Sequence, residues 1–216
     1  NCANTGRITG MSSLGGITGV GANGCLITDC RNLGEVTSSL GRAGGMIGEV
    51  SQMVTVKRSF NSAPVSASML AGGIIGDSPT MSSLTVTQCY NTGDISSGAN
   101  GGAAGILNAT GGSSSVSECY NTGNVEAARF AGGIAGRCSG LTLGKCWSNG
   151  TVTPTSSNAS FMKSVGTIAG AAIEAEIEGC LYPAYLTPLA GDAESDGITA
   201  VTLADMFASS ELLGEG

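Results

Sequence analysis

Residues 89–95 read CYNTGDI and residues 119–125 read CYNTGNV, so nearly the same seven residues occur twice, 30 positions apart. Weaker copies begin at similar intervals of 28, 29, 30, 30, 27 and 34 residues. The anchor positions of these copies are Cys2, Cys30, Ser59, Cys89, Cys119, Cys146 and Cys180. A second signature, Gly-Gly-aliphatic-x-Gly, lies between the anchors, at residues 15–19, 44–48, 72–76, 101–105 and 132–136. A fixed period of this length indicates a stacked solenoid.

Alignment of the copies on their anchors reveals three apolar columns. Three residues before the anchor stand Ile27, Val56, Val86, Val116, Leu143 and Ile177. Six residues after it stand Ile8, Val36, Val65, Ile95, Val125, Val152 and Leu186. After each glycine pair stand Ile17, Met46, Ile74, Ala103, Ile134 and Ile168. Three short β-favourable stretches per repeat predict three strands per turn around a common axis.

We therefore expect an all-β protein, a parallel β-solenoid (β-helix) with right-handed turns and about six coils of about 30 residues. The coils are expected to fill residues 1–182, and residues 183–216 are expected to form an acidic C-terminal cap or linker with a short helix. The chain opens in the middle of a repeat, which we interpret as the sign of a fragment cut from a longer protein.

Composition fits this expectation. The 216 residues include 36 glycines and are 41% hydrophobic, but only 4% aromatic and 12% charged, which favours short strands joined by tight turns. Residues 1–170 carry 9 basic and 7 acidic groups, whereas residues 171–216 carry 9 acidic groups and no basic one. A nearly neutral body with an acidic tail does not suit a nucleic-acid partner. No apolar run is long enough to predict a membrane span.

The anchor strand places cysteine, aromatic and asparagine residues in separate columns. Six of the eight cysteines are anchors, and because Ser59 takes the same place, we predict buried thiols in preference to disulfides. Cys25 and Cys138 lie outside this column, and a Cys25–Cys30 or Cys138–Cys146 bridge stays open. Two residues after the anchor, Asn4, Asn32, Asn61, Asn91, Asn121 and Ser148 predict an internal hydrogen-bonding ladder, with an amide row that binds a ligand as the alternative. Glycines two positions further on are expected to adopt positive φ.

The residue directly after the anchor is aromatic in four consecutive repeats. These residues are Phe60, Tyr90, Tyr120 and Trp147, and strand alternation predicts that they point outward. They are the candidate ligand-binding residues, suited to stacking on sugar rings or to contacting a protein. The alternative is an aromatic ladder that stacks on itself and stiffens the sheet. The adjacent mixed-charge column, Asp29, Arg58, Gln88, Glu118 and Lys145, predicts solvated pairing between coils.

The C-terminal tail offers one candidate metal site and one candidate helix. Asp192, Glu194 and Asp196, followed by Gly197, have the spacing of a calcium loop, but Leu203 stands where a bidentate glutamate belongs. We therefore expect no metal site. Thr202 and Asp205 form a capping box that predicts a short helix beginning there.

Catalytic residues are not apparent in the sequence. The chain has no histidine, which removes Ser-His-Asp and Cys-His catalysis, and no CxxC pair or phosphate-binding loop. We expect no enzyme activity and no cofactor in this stretch. A mechanism that uses only carboxylates, such as Asp94 with Glu118 on the next coil, stays open.

At these columns the sequence resembles the GLUG-type repeats of bacterial cell-surface proteins, through AGGIAG (131–136) with CYNTGNV (119–125) and through GGITG (15–19) with CYNTGDI (89–95). The resemblance covers about residues 1–182. It implies a large, secreted, often wall-anchored, adhesin-like protein. Similar repeats occur outside the catalytic part of some IgA-specific metallopeptidases, but this chain lacks a metallopeptidase zinc motif.

The resemblance and the columns together predict an extracellular or cell-surface repeat module that does not catalyse a reaction. It would act as an adhesin stalk or as a scaffold for a host glycan or host extracellular protein. The alternative is a carbohydrate-binding or carbohydrate-active β-helix domain that uses the aromatic row and surface carboxylates.

Overall fold

The protein is a parallel β-solenoid of about five turns with almost no helix. A computed structural model describes residues 1–79, 82–158, 160, 164–186, 197–202 and 204–205. Its strands are only two to five residues long, because glycines and polar corner residues interrupt every apolar stretch.

Five strands recur in each repeat. The first two repeats comprise β1 (Ala3–Asn4), β2 (Ile8–Gly10), β3 (Leu14–Gly15), β4 (Thr18–Gly21), β5 (Cys25–Thr28), β6 (Arg31–Asn32), β7 (Val36–Ser38), β8 (Arg42–Gly44), β9 (Ile47–Val50) and β10 (Val54–Lys57). The next two comprise β11 (Phe60–Asn61), β12 (Val65–Ala67), β13 (Leu70–Gly72), β14 (Ile75–Asp77), β15 (Leu84–Thr87), β16 (Tyr90–Asn91), β17 (Ile95–Ser97), β18 (Gly102–Ala104), β19 (Leu107–Thr110) and β20 (Ser114–Ser117).

The later repeats keep the same order. They comprise β21 (Tyr120–Asn121), β22 (Val125–Ala127), β23 (Ala131–Gly132), β24 (Ala135–Ser139), β25 (Leu141–Gly144), β26 (Trp147–Ser148), β27 (Val152–Pro154), β28 (Val165–Gly166), β29 (Ala169–Ile173) and β30 (Glu176–Glu178). The strands β31 (Cys180–Pro183) and β32 (Ile198–Val201) follow.

Strands five apart in this order pair in parallel and form five sheets. Sheet 1, with eight strands, contains the strands at the anchors, β1, β6, β11, β16, β21, β26 and β31, and also β32. Sheets 2, 3, 4 and 5 begin with β2, β3, β4 and β5 and contain six strands each. Register follows the sequence repeat, since Tyr90 pairs with both Phe60 and Tyr120.

The prediction of three strands per turn around one axis is wrong, because the chain forms five. Two of the predicted apolar columns lie in sheets 5 and 2, and the third lies at the corner that leads into sheet 4. Sheet 3 carries buried alanines, Ala43, Ala71, Ala103 and Ala131, and glycines. Alanine and glycine have weak β preference, so the sequence did not reveal this sheet.

The structure also shifts one repeat of the glycine signature. Gly72 pairs with Ala104 and not with the predicted equivalent Gly101. The apolar position that follows is therefore Ile106, whose carbonyl accepts a hydrogen bond from Ile74 N at 3.0 Å, and the predicted Ala103 lies in sheet 3 instead.

The interior contains two separate apolar clusters. The larger one joins the buried anchor cysteines, the sheet 5 column and the residues after the glycine pairs, such as Cys119, Val86 and Ile74. The smaller one lies between sheets 2 and 3 and includes Val65 and Ala71. Along each turn the two clusters are separated by the asparagine of sheet 1 and by the second glycine of the pair. Leu186 packs against the larger cluster and so does not extend the column of Val65.

Positive φ does not occur at the glycines four residues after the anchors, where the sequence predicted it. Glycines such as Gly93 and Gly123 are not in the left-handed region. An added Cβ at these glycines would overlap the carbonyl oxygens of Ala63 and Gly93 in the preceding coil, so close backbone approach explains them. One column of left-handed residues lies directly before the anchors: Asp29 (φ 54°), Arg58 (44°), Gln88 (54°), Glu118 (53°), Lys145 (51°) and Gly179 (62°). This column forms the corner between sheets 5 and 1.

Sheet 1 continues beyond the last anchor, because β32 pairs in parallel with β31. The Thr202 hydroxyl donates to Asp205 Oδ2 at 2.7 Å, and Asp205 N donates to Thr202 Oγ1 at 3.2 Å, as in the predicted capping box. Most of the predicted helix lies outside the described residues, as do the calcium-loop candidates Asp192, Glu194 and Asp196.

Candidate functional site: the ladders of sheet 1

The strands of sheet 1 hold the three side-chain columns that the sequence singles out. Strand alternation buries the anchor and the residue two positions later, and it turns the residue between them outward. Accordingly Cys119 and Asn121 are fully buried, whereas Tyr120 is half-buried. The structure therefore brings all four predicted aromatic residues together on one outer face of sheet 1.

The aromatic residues form a continuous stack. Ring centroids lie 4.7 Å apart for Phe60 and Tyr90, 4.8 Å for Tyr90 and Tyr120, and 4.6 Å for Tyr120 and Trp147. The interplanar angles are only 2–4°. These separations match the spacing of paired strands, about 4.7–4.9 Å. The stack is the self-stacked ladder that the sequence left open as an alternative.

Stacking determines which ring surfaces a ligand can reach. Both faces of Tyr90 and Tyr120 contact neighbouring rings, so only ring edges and hydroxyl groups remain for other contacts. Trp147 is only 6% exposed, and Leu181 continues the column beyond it. Burial raises the pKa of Tyr90, and burial together with the neighbouring Tyr90 raises the pKa of Tyr120 to about 12. The phenols therefore stay neutral at physiological pH.

Charged residues border the aromatic stack at the left-handed corner. Arg58 donates from Nε and Nη2 to the two carboxylate oxygens of Asp29, at 2.8 and 2.9 Å. This guanidinium holds the pKa of Asp29 below its usual value. Gln88 Nε2 donates to Glu118 at 3.1 Å. These contacts confirm the predicted pairing between coils in this column.

A second ladder runs inside the sheet. The side-chain amide of each asparagine donates to the side-chain oxygen of the next, at 2.7 Å, from Asn4 through Asn32, Asn61 and Asn91 to Asn121. Asn121 then donates to the Ser148 hydroxyl at 3.4 Å. The same amide groups also donate to the backbone two residues later, as Asn91 does to Gly93 O at 2.7 Å. The internal-ladder prediction is confirmed. Because the amides are fully buried from Asn32 to Asn121, they do not face a ligand.

Glycine is required opposite this ladder. An added Cβ at Gly73 would lie 2.5 Å from Asn91 Cγ and would overlap Gly105 O. In the same way, an added Cβ at Gly45 would overlap the Asn61 side chain, and one at Gly105 would overlap the Asn121 side chain. The sequence identified both columns, but it did not reveal that they contact each other across the interior.

Five of the anchor cysteines line the larger cluster as free thiols, whereas Cys2 is exposed, and all eight cysteines of the chain are free. Each buried anchor thiol lies near the carbonyl two residues earlier, as in Cys119 Sγ to Ser117 O at 3.1 Å. The Ser59 hydroxyl makes the equivalent contact, to Lys57 O at 2.8 Å. Burial raises the pKa of Cys119, and it raises the pKa of Cys138 to about 12.

Polar residues also form a clasp between sheets 3 and 4, which the sequence did not predict. Arg42 binds both Asp77 and Glu49, and Glu49 accepts a hydrogen bond from the Ser13 hydroxyl at 2.7 Å. Burial raises the pKa of Asp77, although the Arg42 guanidinium acts in the opposite direction.

Surface carboxylates do not group as the sequence suggested. Asp94 lies in a groove of about 410 Å³ with Glu126, Ser96 and Thr153, whereas its predicted companion Glu118 belongs to the corner column. A second groove, of about 530 Å³, is lined by serine and threonine hydroxyls of sheet 5 with Glu174 and Glu176. Within the described ranges, no three histidine, cysteine or carboxylate side chains are grouped to hold a metal ion.

The fold and its ladders define the class of protein as a parallel β-solenoid with internal asparagine and external aromatic stacks. Comparisons with protein-family models, curated proteins and solved structures found no match to this chain. In the part of the chain that the structure describes, no helix is long and apolar enough to cross a membrane.

Proposed function

We propose that this chain is a non-catalytic repeat module of a secreted bacterial surface protein, in which it acts as a stalk that extends or presents a binding region. The proposal includes the finer features expected from the sequence, namely about six right-handed coils, a C-terminal cap and membership of the GLUG-type repeat proteins. The ligand-binding scaffold and the carbohydrate-active domain are the competing functions.

The self-stacking of Phe60, Tyr90, Tyr120 and Trp147 carries the proposal. A site that stacks on sugar rings offers a free aromatic face, whereas here each inner ring has both faces against other rings. Such a stack contributes about 0.5–1.5 kcal/mol per pair beyond the area buried. The asparagine ladder runs parallel to it inside the sheet, so both columns strengthen coil stacking.

Mechanical resistance is the property that a stalk requires. The module would be pulled between its ends by single-molecule force spectroscopy, as wild type and as Asn91→Ala. We expect unfolding at a well-defined force that drops in the variant, because the pulled coils separate through this ladder. Unfolding of wild type without a well-defined force would contradict the stalk function, and equal forces in the two proteins would show that the ladder does not bear the load.

A binding function is tested separately, with a panel of host glycans and extracellular matrix proteins and with Trp147 fluorescence as one readout. If the chain is a stalk, no member of the panel should bind through the aromatic row. Any ligand that binds wild type should therefore bind Tyr90→Ala/Tyr120→Ala equally well. Binding of a ligand that disappears in this double variant, but persists in a correctly folded Tyr90→Phe/Tyr120→Phe control, would establish the aromatic row as a binding face.

The groove that contains Asp94 and Glu126 favours the carbohydrate alternative, because carboxylates, Ser96 and Thr153 there offer hydrogen-bond partners to sugar hydroxyls. Binding of a neutral oligosaccharide to wild type, with loss in Asp94→Asn/Glu126→Gln, would support this alternative.

A further inference from the structure

The anchor cysteines stand in one column on consecutive coils of sheet 1. Backbone hydrogen bonds fix this register, since Arg31 N donates to Cys2 O, Tyr120 N to Cys89 O, and Leu181 N to Cys146 O, at 2.9–3.1 Å. The column is interrupted once, at Ser59, whose hydroxyl accepts a hydrogen bond from Cys30 N at 3.1 Å. The interruption leaves one run of two cysteines and one run of four.

Neighbouring cysteines of the column have the Cα spacing that a disulfide needs. Paired parallel strands lie about 4.7–4.9 Å apart. Disulfides join Cα atoms about 4.4–6.8 Å apart. In the first run, the backbone N–H of Cys2 donates to Cys30 Sγ at 3.2 Å, which places the two cysteines side by side.

We propose that this column is a cross-linking site that oxidises to three disulfides between adjacent coils, Cys2–Cys30, Cys89–Cys119 and Cys146–Cys180. Cys25 and Cys138, which belong to other sheets, remain thiols.

The pairing follows from the ends of the two runs. Cys89 has Ser59 as its neighbour on one side, and Cys180 pairs with Ile198 on its far side. A Cys119–Cys146 bond would therefore leave both Cys89 and Cys180 without an adjacent partner. Only the proposed arrangement uses every cysteine of the column.

The chemistry needs a small-molecule disulfide as oxidant, and oxidised glutathione is a suitable one. A cysteine thiolate attacks one glutathione sulfur, which breaks the glutathione S–S bond, forms a mixed disulfide and releases one glutathione thiolate. The second cysteine thiolate then attacks its neighbour's sulfur and releases the second glutathione. The two protons of the cysteine thiols end on the two glutathiones, so the cysteine pair is oxidised and the oxidant is reduced.

Burial determines when this reaction takes place. The column thiols other than the exposed Cys2 are enclosed in the core and do not meet glutathione in the folded state. We therefore expect the bonds to form while the chain folds. The inference concerns the thiols of this chain in solution and does not depend on the proposed stalk function.

The test is oxidative refolding of the reduced, denatured chain in a buffer that contains reduced and oxidised glutathione. Free thiols are counted after denaturation, and disulfide-linked peptides are mapped by mass spectrometry. We expect two of the eight thiols to remain, at Cys25 and Cys138, with the three proposed linkages and with a higher thermal midpoint than the reduced protein. Eight remaining thiols, glutathione adducts only, or bonds that involve Cys25 or Cys138 would overturn the proposal.

Two variants separate specific pairing from random oxidation. Cys119→Ser is expected to leave Cys89 as an additional free thiol and to retain the other two disulfides. Cys25→Ser/Cys138→Ser is expected to form all three disulfides and leave no thiol. If Cys89 forms a bond to a distant cysteine in Cys119→Ser, while circular dichroism shows a native fold, adjacency does not govern the pairing.

Discussion

The side-chain amide of Asn61 donates a 2.7 Å hydrogen bond to the side-chain oxygen of Asn91, its equivalent in the next coil. Both side chains are fully buried. The bond joins residues 30 positions apart in the chain, and the same relationship repeats along sheet 1. The stability of the coil stack therefore depends on buried polar side chains as well as on the apolar clusters.

Asn91→Ala should destabilise the protein by roughly 2–4 kcal/mol, because it leaves buried polar groups of Asn61, Gly93 and Asn121 without their partner. Equilibrium unfolding in urea measures this change in the free energy of unfolding. The matched control is Asn149→Ala, whose side chain is only half-buried, and it should change stability little. A cost below about 0.5 kcal/mol for Asn91→Ala would argue against the importance of the ladder.

Gly73→Ala should cost more than about 4 kcal/mol or prevent folding, because its Cβ would overlap backbone and the Asn91 side chain. Thermal unfolding by circular dichroism and the yield of folded protein report this loss. Gly144→Ala is the control, since the nearest atom to its Cβ would be Ser117 Cβ at 3.9 Å. Similar stabilities of the two variants would show that Gly73 does not pack against the Asn91 side chain as closely as described.

Tyr120→Ala should destabilise the protein by about 2–4 kcal/mol, because the ring stacks on both Tyr90 and Trp147. It should also expose Trp147 to water and shift its fluorescence to longer wavelength. Tyr120→Phe retains the ring and should retain both the stability and the emission of wild type. An unchanged emission in Tyr120→Ala would mean that Trp147 does not depend on this stack for its burial.

The free energy of unfolding should fall at alkaline pH through Tyr120. Its pKa is raised from 10.0 to about 12, chiefly by burial, so folding favours the neutral phenol. Below pH 10 the phenol is neutral in both states and stability is unaffected. Between these two pKa values the unfolded chain ionises first, and stability declines as pH rises.

Denaturant unfolding of wild type and Tyr120→Phe across this alkaline range tests the assignment. The decline should be smaller in the variant, although it should not vanish, because burial also raises the pKa of Tyr90. Parallel pH profiles for the two proteins would show that Tyr120 ionises as it does in the unfolded chain.

Arg42→Ala should destabilise the protein at neutral pH by up to about 3 kcal/mol, because the buried Asp77 loses its counter-charge. Thermal unfolding at neutral pH measures the effect. Arg58→Ala breaks the ion pair with Asp29, but both of those side chains are exposed, so we expect a much smaller change. Equal losses in the two variants would indicate that burial of Asp77 does not strengthen the clasp.

Much of the fold was predictable because equivalent residues of a solenoid occupy equivalent places. The anchor spacing predicted parallel stacking, and the asparagine column predicted a ladder that the structure confirms from Asn4 to Asn121. The three apolar columns were also recognised, apart from the substitution of Ile106 for Ala103 and the placement of Leu186. Sheet 3 was missed because its alanines and glycines give a weak strand signal.

The candidate site was predicted in its residues but not in its geometry. The sequence placed Phe60, Tyr90, Tyr120 and Trp147 in one column, and the structure brings them together. It did not show whether their faces would be free or stacked. The clasp of Arg42 with Asp77 gave no signal, because the two residues occupy unrelated positions of successive repeats.

The sequence by itself determined which residues are equivalent, and therefore which side chains stack at the spacing of paired strands, since a repeat places each residue above its counterpart. Only the tertiary structure decided how each turn closes. The left-handed corners at Arg58 and Glu118, and the contact of Gly73 with Asn91 that divides the interior, depend on packing between columns within a turn. The repeat pattern describes how coils stack along the solenoid axis. Contacts between columns within one turn determine the shape of the cross-section.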